Sequence, residues 1–536
     1  MPETDDLPQK NDTQRWKRIC VALTLLVLVR GVFVLSVLPP FEGWDEYQHI
    51  AYIVYLKEQK ALPPYGLATV PQSMVPMLQN YPHSGFDHWQ NRQWETRTYD
   101  TFWTQPQVQR GKYSQIQLYQ AQQGPLYYLV ALPFWLVFSS FGPLAGIYAL
   151  RLLNALFLTA AVFIFLQTLA KCVPKLRHRI IIGLLVATYP LYLITAARIS
   201  NCALSIFFGS LTLYFTIRAI KEKPLRFLMA ASCCLGLGIL AKATMLTMIP
   251  VVLIAAVVVA CRQGFNFKLA LKTVGMCLAV ILLFLVPLFY RNYKSSGMLY
   301  VMSQHRDLQL SGKSSLAVFP YFFKVGWSTH LRHWIFTRDL WVSGWSFIYP
   351  PGWFDYPYKG FMYLFWMIVI AFGLKRGWSR KVPQKAPEHL FTDNWSLLIF
   401  GSVVSFMVAG LAYFATISLV DLGVAVTIPS YFMIALPAWT ALLYQAALFV
   451  GTRFAFWSAQ VLMAFYVVSE LFGTLVIMPK AFTNTSWSWL SWTRLTEVHP
   501  FFPSPWFIIP CLLMIAGLLG FLIREQFRNE PVSPAQ

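Results

Sequence analysis

Long apolar runs separated by short polar loops recur along the whole chain of 536 residues. Runs such as ICVALTLLVLVRGVFVLSVL (19–38) and IIGLLVATYPLYLITAA (181–197) are long enough to cross a bilayer core of about 30 Å. The pattern predicts an all-α polytopic membrane protein with about twelve transmembrane helices. The predicted spans cover residues 19–38, 148–170, 180–197, 203–221, 226–241, 244–261, 270–290, 361–376, 396–416, 425–448, 453–475 and 505–523.

One further apolar segment, GPLYYLVALPFWLVFSSFG (124–142), is long enough to span, but the charges argue against it. If it crossed, basic loops such as KCVPKLRHR (171–179) and KEKPLR (221–226) would lie opposite the basic N-terminal segment. Short basic loops share the cytoplasmic side of a membrane. We therefore predict that residues 125–142 lie parallel to the outer leaflet or dip into it, with both chain ends in the cytoplasm.

This topology divides the chain into segments on the two sides of the inner (plasma) membrane. No small-residue cleavage site follows the first apolar run, which is interpreted as an uncleaved helix. Three long outer segments are rich in Trp and Tyr, and the first is expected to carry interfacial helices. The predicted parts are a cytoplasmic segment 1–18, one transmembrane domain 19–523 with outer segments 39–147, 291–360 and 476–504, and a cytoplasmic tail 524–536.

Composition supports the same class of protein. The chain is 57% hydrophobic and only 12% charged, whereas soluble domains carry about a quarter charged residues. The net charge of +21 lies mainly in the short loops, so it reflects topology and predicts no nucleic-acid partner. The eight cysteines lie inside or beside apolar spans and form neither a disulfide framework nor a zinc-like CxxC pair.

The first candidate chemistry follows the first span, in PPFEGWDEYQHIAYIVYLKEQK (39–60). Pro39 and Pro40 end that span, and WDEYQHIAYIVYLKEQ is predicted to form a helix along the membrane surface. Asp45 opens this helix and His49 follows one turn later on the same face. The plain alternative is that Asp45 caps the helix, Glu46 interacts with its dipole and His49 is a surface side chain. An isolated Asp-x-x-x-His pair is too little for a zinc site.

Several cations belong to the same side of the membrane by this topology. Arg30 lies inside the first span, Arg198 and Lys242 lie at outer span ends, and Arg291 follows the seventh span. Each alone could simply reach the lipid headgroups. Together, opposite an acidic pair, they suit a negatively charged group such as a phosphate bound beside a general base. We expect one outward-opening cavity lined by Asp45 and these four cations.

The segment PPFEGWDEYQHIAYIVYLKEQKALP resembles the first extracytoplasmic loop of the GT-C superfamily, in particular bacterial relatives of protein O-mannosyltransferases and aminoarabinose transferases. Other segments resemble that family in the same order, namely QAQQGPLYYLVALP (120–133), YALRLLNALF (148–157), ARISNCALS (197–205), LGILAKATML (237–246), YRNYKSSGMLY (290–300) and PSYFMIALPAW (429–439). There are departures. Cys202 stands where relatives often carry a second acidic residue, Gln123 and Gly124 replace a His-Pro pair, and Ser430 replaces an arginine.

The resemblance implies a glycosyltransferase that moves a sugar from a polyprenyl-phosphate donor to an acceptor outside the cytoplasm, with inversion. Asp45 would be the catalytic base and Glu46 a supporting catalytic residue. The substrate-binding candidates are His49, Arg30, Arg198, Lys242 and Arg291. A divalent metal, Mg or Mn, is possible, although Cys202 opens that question. The acceptor, whether glycan, lipid or protein, is left open.

Three alternatives remain at this stage. A lipid-linked glycan transporter or flippase would also have about twelve spans and intramembrane charge, but the long outer segments and the early acidic pair favour an enzyme. An O-antigen polymerase or ligase would also work outside, with its key loop late in the chain. A catalytically inactive scaffold of the same fold is the third alternative, raised by Cys202.

Overall fold

The computed structural model is helical throughout the parts of the chain that it describes. These parts are residues 6–43, 45–81, 116–222, 224–264, 266–297, 299, 352–378, 388–422, 429–483, 494–496 and 505–528. Most of the predicted outer segments 291–360 and 476–504 therefore falls outside the described residues. The α-helices are α1 (Asp6–Val37), α2 (Glu46–Gln59), α3 (Val75–Asn80), α4 (Leu126–Phe138), α5 (Pro143–Cys172), α6 (Leu176–Thr188), α7 (Pro190–Ala197), α8 (Cys202–Lys221), α9 (Pro224–Ala241), α10 (Ile249–Arg262), α11 (Phe267–Ser296), α12 (Gly352–Trp378), α13 (Asn394–Leu422), α14 (Leu436–Val450), α15 (Thr452–Phe472), α16 (Met478–Thr483) and α17 (Pro505–Phe527).

The all-α polytopic prediction is confirmed. Nine helices in the described part of the chain are long and apolar enough to cross a membrane, and shorter apolar helices cover 126–141, 225–241 and 436–450. Within the described residues, each predicted span contains helix; residues 425–428 of the predicted span 425–448 lie outside them. The predicted span 180–197 is broken into α6 and α7, because Tyr189 is extended (ψ 117°) and Pro190 begins the second helix.

The apolar segment 125–142, which the charge pattern predicts not to cross, forms the short helix α4, and α4 packs against α5. Its 13 residues give a length of about 20 Å, less than the bilayer core. A 3₁₀ turn at Ser139–Phe141 follows, and the chain then enters α5. Since α10 and α14 are only one and two residues longer, the prediction that residues 125–142 do not cross stays a prediction.

The predicted cytoplasmic loops meet at one end of the bundle. The Arg179 guanidinium lies over the Trp16 ring, and Arg15 pairs with Glu525, so the first basic loop and both chain ends are neighbours. The last turn of α5 and the residue after α8 are joined by an ion pair of 2.7 Å between Lys171 and Glu222. We call this the basic end. It groups the loops as the charge pattern predicts, whereas the identity of the membrane side stays a prediction.

The opposite end contains a second core, distinct from the main helical core. Helix α2 lies inside it, with nearly all residues from Glu46 to Leu56 buried. Protein therefore encloses α2 on nearly all sides, and its orientation along the membrane surface stays a prediction. Apolar residues of α2 are buried on several sides of the helix, and Tyr127 and Tyr128 from the first turn of α4 pack against them.

Candidate functional site

Asp45 lies between α1 and α2, in a left-handed backbone conformation (φ 60°, ψ 12°). A side chain in that region costs about 1–3 kcal/mol and persists only where the surroundings impose it. Asp45 occupies the N-cap position, yet its side chain makes no capping hydrogen bond. The interpretation of Asp45 as an ordinary helix cap is therefore wrong, and the carboxylate is available for another role.

The Asp45 carboxylate faces hydroxyl, amide and cationic groups. Tyr119 donates a hydrogen bond to it, and the Gln120 amide lies 3.5 Å away. Burial raises the pKa of the Asp45 carboxyl, while the Tyr119 hydrogen bond and then the charges of Arg198 and Lys242 act to lower it. Burial and the Asp45 charge also raise the pKa of Tyr119 well above its usual value, so this phenol remains a donor.

Glu46 points elsewhere and is fully buried. It forms a bidentate ion pair with Arg151, at 2.8 Å (Nε) and 2.6 Å (Nη2), and accepts the Ile199 backbone N–H at 2.9 Å. Arg151 also donates to the carbonyls of Leu38 and Pro39. Glu46 thus ties the end of α1, the start of α2 and helix α5 together, while its role as a supporting catalytic residue stays a prediction.

His49 follows Asp45 by one turn and packs on the tyrosines of α4. Its Nδ1 lies 2.9 Å from the Tyr128 hydroxyl, and the two rings stack with centroids 5.8 Å apart. Burial first, and then the charges of Lys242 and Arg198, lower the pKa of His49 well below its usual value. His49 is therefore neutral at neutral pH and adds no positive charge to the site.

Arg198 and Lys242 converge on one buried sulfur. The Lys242 Nζ lies 2.8 Å from Cys202 Sγ, and Arg198 Nη2 lies 3.7 Å from it. The Lys242 ammonium also lies 4.6 Å from the centroid of the Tyr431 ring. Both cations are at most 7% exposed, so neither one extends to lipid headgroups. We call Asp45, Tyr119, Arg198, Lys242 and Cys202 the Asp45 site.

Two glycines allow the segments of the site to approach. A Cβ on Gly43 would come within 2.7 Å of the Arg198 Cβ. A Cβ on Gly124 would lie 2.1 Å from the Leu240 carbonyl oxygen, a distance that no side chain tolerates. Gly124 is one of the departures from the family pattern, and here it lets the chain before α4 lie directly on the end of α9.

Arg291 lies beside the Asp45 site without entering it. Its Nη2 donates to the carbonyls of Pro63 (3.0 Å) and Ala121 (3.3 Å), so it holds the turn that carries Tyr119. It also contacts the hydroxyl of Tyr52, whose pKa is raised to about 12 by burial. The structure therefore places Arg291 in the wall that supports the site.

The sequence placed Arg30 in the same cavity as Asp45, and the structure corrects this placement. The Arg30 guanidinium is buried and pairs with Glu470 of α15. It also donates to the carbonyls of Ala187 and Thr188 at the break between α6 and α7, the latter at 2.9 Å. Those carbonyls lie in the last turn of α6, where the helix break leaves them without helical donors. Arg30 thus stabilises a helix break and has an anionic partner.

Several residues of the Asp45 site were not picked out from the sequence. Tyr119, Gln120 and Tyr431 contact the catalytic candidates, and Arg151 orients Glu46. All except Tyr119 lie in segments that resemble the GT-C pattern, and Tyr119 directly precedes one. The resemblance could therefore have pointed to them, whereas polarity alone could not.

The residues present do not favour Mg or Mn at Asp45. In the part of the chain that the structure describes, there is no group of three or more His, Cys, Asp or Glu residues that could hold a metal. The neighbours that act on the Asp45 carboxylate include two cations, which repel a divalent ion. The metal expectation stays a prediction, and the chemistry below is argued from the side chains alone.

The fold and this arrangement define a polytopic helical membrane protein with a buried charged site at one end of its bundle. The chain belongs to the DUF2142 family, described as predicted membrane proteins, whose model matches residues 26–404. No curated protein matches the chain.

Among solved structures, the chain is similar to ArnT from Cupriavidus metallidurans bound to undecaprenyl phosphate, with 14% identity and a TM-score of 0.45, covering 95% of this chain and 72% of that one. It is also similar to the Archaeoglobus fulgidus oligosaccharyltransferase in complex with zinc and sulfate, with 13% identity and a TM-score of 0.38, covering 95% of this chain and 59% of that one. Similarity at this level does not establish a shared activity.

Proposed function

We propose that this protein is an inverting glycosyltransferase that moves a sugar from a polyprenyl-phosphate donor to an acceptor on the extracytoplasmic side of the membrane. The observation that carries the proposal is one carboxylate, Asp45, facing two buried cations, Arg198 and Lys242. A general base beside an anion site is what such a transfer needs. The family resemblance of the surrounding segments supports the same activity.

The position of the site suits a lipid-linked donor. The α1 helix runs about 39 Å from Asp12 at the basic end to Val37, next to the loop that carries Asp45. The site therefore lies at the far ends of the membrane-spanning helices, near the depth of a headgroup. A polyprenyl chain could remain among the lipids while its phosphate reached Arg198 and Lys242.

The proposed chemistry needs no covalent intermediate. Asp45 accepts the proton of the acceptor hydroxyl as its oxygen attacks the anomeric carbon. The bond between that carbon and the phosphate oxygen breaks, and its electron pair leaves on the phosphate. Arg198 and Lys242 stabilise the developing negative charge in surroundings that exclude much of the water. A carboxyl whose pKa is raised by burial is a stronger base once it is ionised.

The proposal is tested in two stages with purified full-length protein in detergent. First, binding of undecaprenyl phosphate is compared with binding of undecaprenol, which has the same chain without the phosphate. We expect phosphate-dependent binding that Arg198→Gln and Lys242→Gln each weaken by about 10- to 100-fold. Lys57→Gln is the matched control, since it removes one exposed positive charge from α2.

Second, a panel of polyprenyl-phosphate sugars is offered with glycan, lipid and protein acceptors, and glycosylated product is measured. A transferase forms product in detergent, where no membrane separates two compartments. A flippase or transporter forms none under these conditions but moves labelled donor across liposomes. Transport without product, or equal binding of undecaprenol, would overturn the proposal.

A further inference from the structure

A cleft at the basic end lies between α1 and α17, the first and last helices that the structure describes. It has a volume of about 440 Å³, and its charged lining consists of Asp12, Arg15, Arg18, Glu525 and Arg528. Sites for small organic ligands commonly have volumes of about 300–1,000 Å³. The cleft is thus large enough for a small polar group, and it lies at the opposite end of α1 from the Asp45 site.

Within the described residues, the lining of the cleft leaves one positive charge unbalanced, because three arginines face two carboxylates. Glu525 pairs with both Arg15 and Arg528, the latter at 3.2 Å. Arg18 is exposed, and no ion pair between described residues involves it. An arginine offers a planar fork of N–H donors that matches phosphate oxygens. The lining therefore suits a group with one negative charge, such as a phosphodiester.

The cleft lies at the depth where the apolar helices end. Arg18 directly precedes the apolar run 19–38 of α1, and Arg524 directly follows the apolar stretch 505–523 of α17. The two arginines therefore mark the boundary between hydrocarbon and headgroups at the basic end. Lipid phosphates lie at this boundary, so a lipid could place its phosphate in the cleft without leaving the bilayer.

Exposed apolar faces continue from the cleft along both helices. On α1, Arg18, Val21 and Leu25 share one face, since they are three and four residues apart, and all three are exposed. On α17, Phe521 lies in the cleft itself and shares its face with Met514, seven residues earlier, and both are exposed. Acyl chains would cover these faces, whereas a soluble phosphate compound would leave them bare.

From this arrangement we infer that the cleft between α1 and α17 binds the headgroup of an anionic phospholipid, with its phosphodiester at Arg18 and its acyl chains along the exposed apolar faces. The inference goes beyond the proposed function and does not depend on it. Only 17% of the apolar window of α17 is buried, against 67% for α1. A lipid that contacts both helices would therefore add packing to the last one.

The test measures lipid binding to purified full-length protein in non-ionic detergent by native mass spectrometry. Phosphatidylglycerol should bind about 5-fold more tightly than phosphatidylcholine with the same chains, because the choline cation opposes Arg18. Arg18→Gln should raise the Kd for phosphatidylglycerol by about 5-fold, the usual effect of one basic residue near a membrane surface. Arg226→Gln is the matched control and should leave the Kd unchanged, since Arg226 is an exposed arginine in the first turn of α9 and lies outside the cleft.

Removing a negative charge from the cleft should have the reverse effect. Asp12→Asn replaces an exposed carboxylate of the lining, so it should lower the Kd for phosphatidylglycerol by about 5-fold. In a thermal melt, added phosphatidylglycerol should raise the melting temperature of the wild-type protein more than that of Arg18→Gln. Both variants replace exposed side chains, and a melt without lipid checks that they fold.

Three results would overturn the inference. If Arg18→Gln and Arg226→Gln weaken binding equally, the whole basic end attracts anionic lipid and the cleft is not a site. If glycerophosphoglycerol, the same headgroup without acyl chains, competes as well as the lipid, the ligand is a soluble phosphate compound. If excess phosphatidylglycerol displaces all bound undecaprenyl phosphate, the two lipids share one site. Loss of the inference leaves the proposed function standing, because that function is tested by Arg198→Gln and Lys242→Gln at the other end.

Discussion

Two regions of this molecule place arginine and a carboxylate where water is scarce, and they differ in charge balance. In the first, Arg30 meets Glu470, and the carbonyls of Ala187 and Thr188 accept the remaining donors. In the Asp45 site, one carboxylate faces two cations, and its partners are neutral groups and charges acting through space. The first region is neutral and bridges three segments of chain. The second brings two cations to one carboxylate and one sulfur.

The difference separates a structural pair from the proposed binding site. An intramembrane arginine is a functional candidate by default, because burying its charge is costly. Arg30 shows that a dedicated carboxylate and two carbonyls can account for that cost without a ligand. Arg198 and Lys242 instead both contact the Cys202 sulfur, and their charges act on the Asp45 carboxylate.

The largest expected effect is on activity, at Asp45. Asp45→Asn keeps the shape of the side chain but removes the base, so kcat should fall by about 10²–10⁴-fold. Product formation by the purified variant, with a thermal melt to check folding, measures this. Near wild-type turnover in a well-folded variant would exclude Asp45 as the base.

The next effect concerns stability in the region of Arg30. Arg30→Gln or Glu470→Gln leaves the other charge buried and unpaired, which should cost about 3–5 kcal/mol of unfolding free energy. The double variant Arg30→Gln with Glu470→Gln should recover much of that loss. Melting temperature, together with activity per folded molecule, measures this. If the single variants are fully stable but no longer bind undecaprenyl phosphate, Arg30 belongs to the binding site.

Glu46 should behave like the Arg30 pair and unlike its neighbour Asp45. Glu46→Gln leaves Arg151 buried without its anion, with an expected loss of about 3 kcal/mol, at the low end for broken buried pairs. Activity should fall mainly in proportion to folded protein. Comparing Glu46→Gln with Asp45→Asn in the same assays tests the division of roles. A Glu46→Gln protein that is stable but inactive would contradict it.

The smallest effect is the dependence of stability on pH at Asp45. The pKa of this carboxyl is raised in the folded state, so folded protein binds its proton more tightly than unfolded protein does. At low pH, Asp45 therefore contributes to the free energy of unfolding. This contribution is lost as the pH rises from about 3.9 through the raised pKa. Asp45→Asn should melt at or above the wild-type temperature at neutral pH, with the difference closing on acidification.

The ionisation of Asp45 also predicts the direction in which activity changes with pH. Since the base must be ionised, kcat/KM should fall as pH decreases through the raised pKa of Asp45. A pH–rate profile of the wild-type protein measures this. His49 should not add to the positive charge of the site near neutrality, because its pKa is lowered well below the usual value. If the residual activity of Asp45→Asn shows the same fall in kcat/KM at low pH, a group other than Asp45 causes it.

Hydropathy by itself predicted the helical class and the positions of the nine long apolar helices in the described part of the chain, whereas the non-crossing of residues 125–142 stays a prediction. These follow from the cost of leaving backbone groups unsatisfied in lipid, which any apolar run of sufficient length must meet by forming helix. The break at Pro190 is visible in the sequence but is hidden by averaging over an apolar window. The burial of α2 was missed because its covering tyrosines, Tyr127 and Tyr128, come from a distant segment.

The sequence also determined that Asp45, Arg198 and Lys242 belong to one end of the molecule, because the parity of the spans decides which ends lie together. Only the tertiary structure decided which charges are neutralised. Glu470 lies 440 residues from Arg30 and Arg151 lies 105 residues from Glu46, so neither partner can be read from local spacing. A charge close to a membrane has its role set by its nearest oppositely charged or polar neighbours, because electrostatic energies in a low dielectric depend steeply on contact geometry. That geometry is a property of the packed helices.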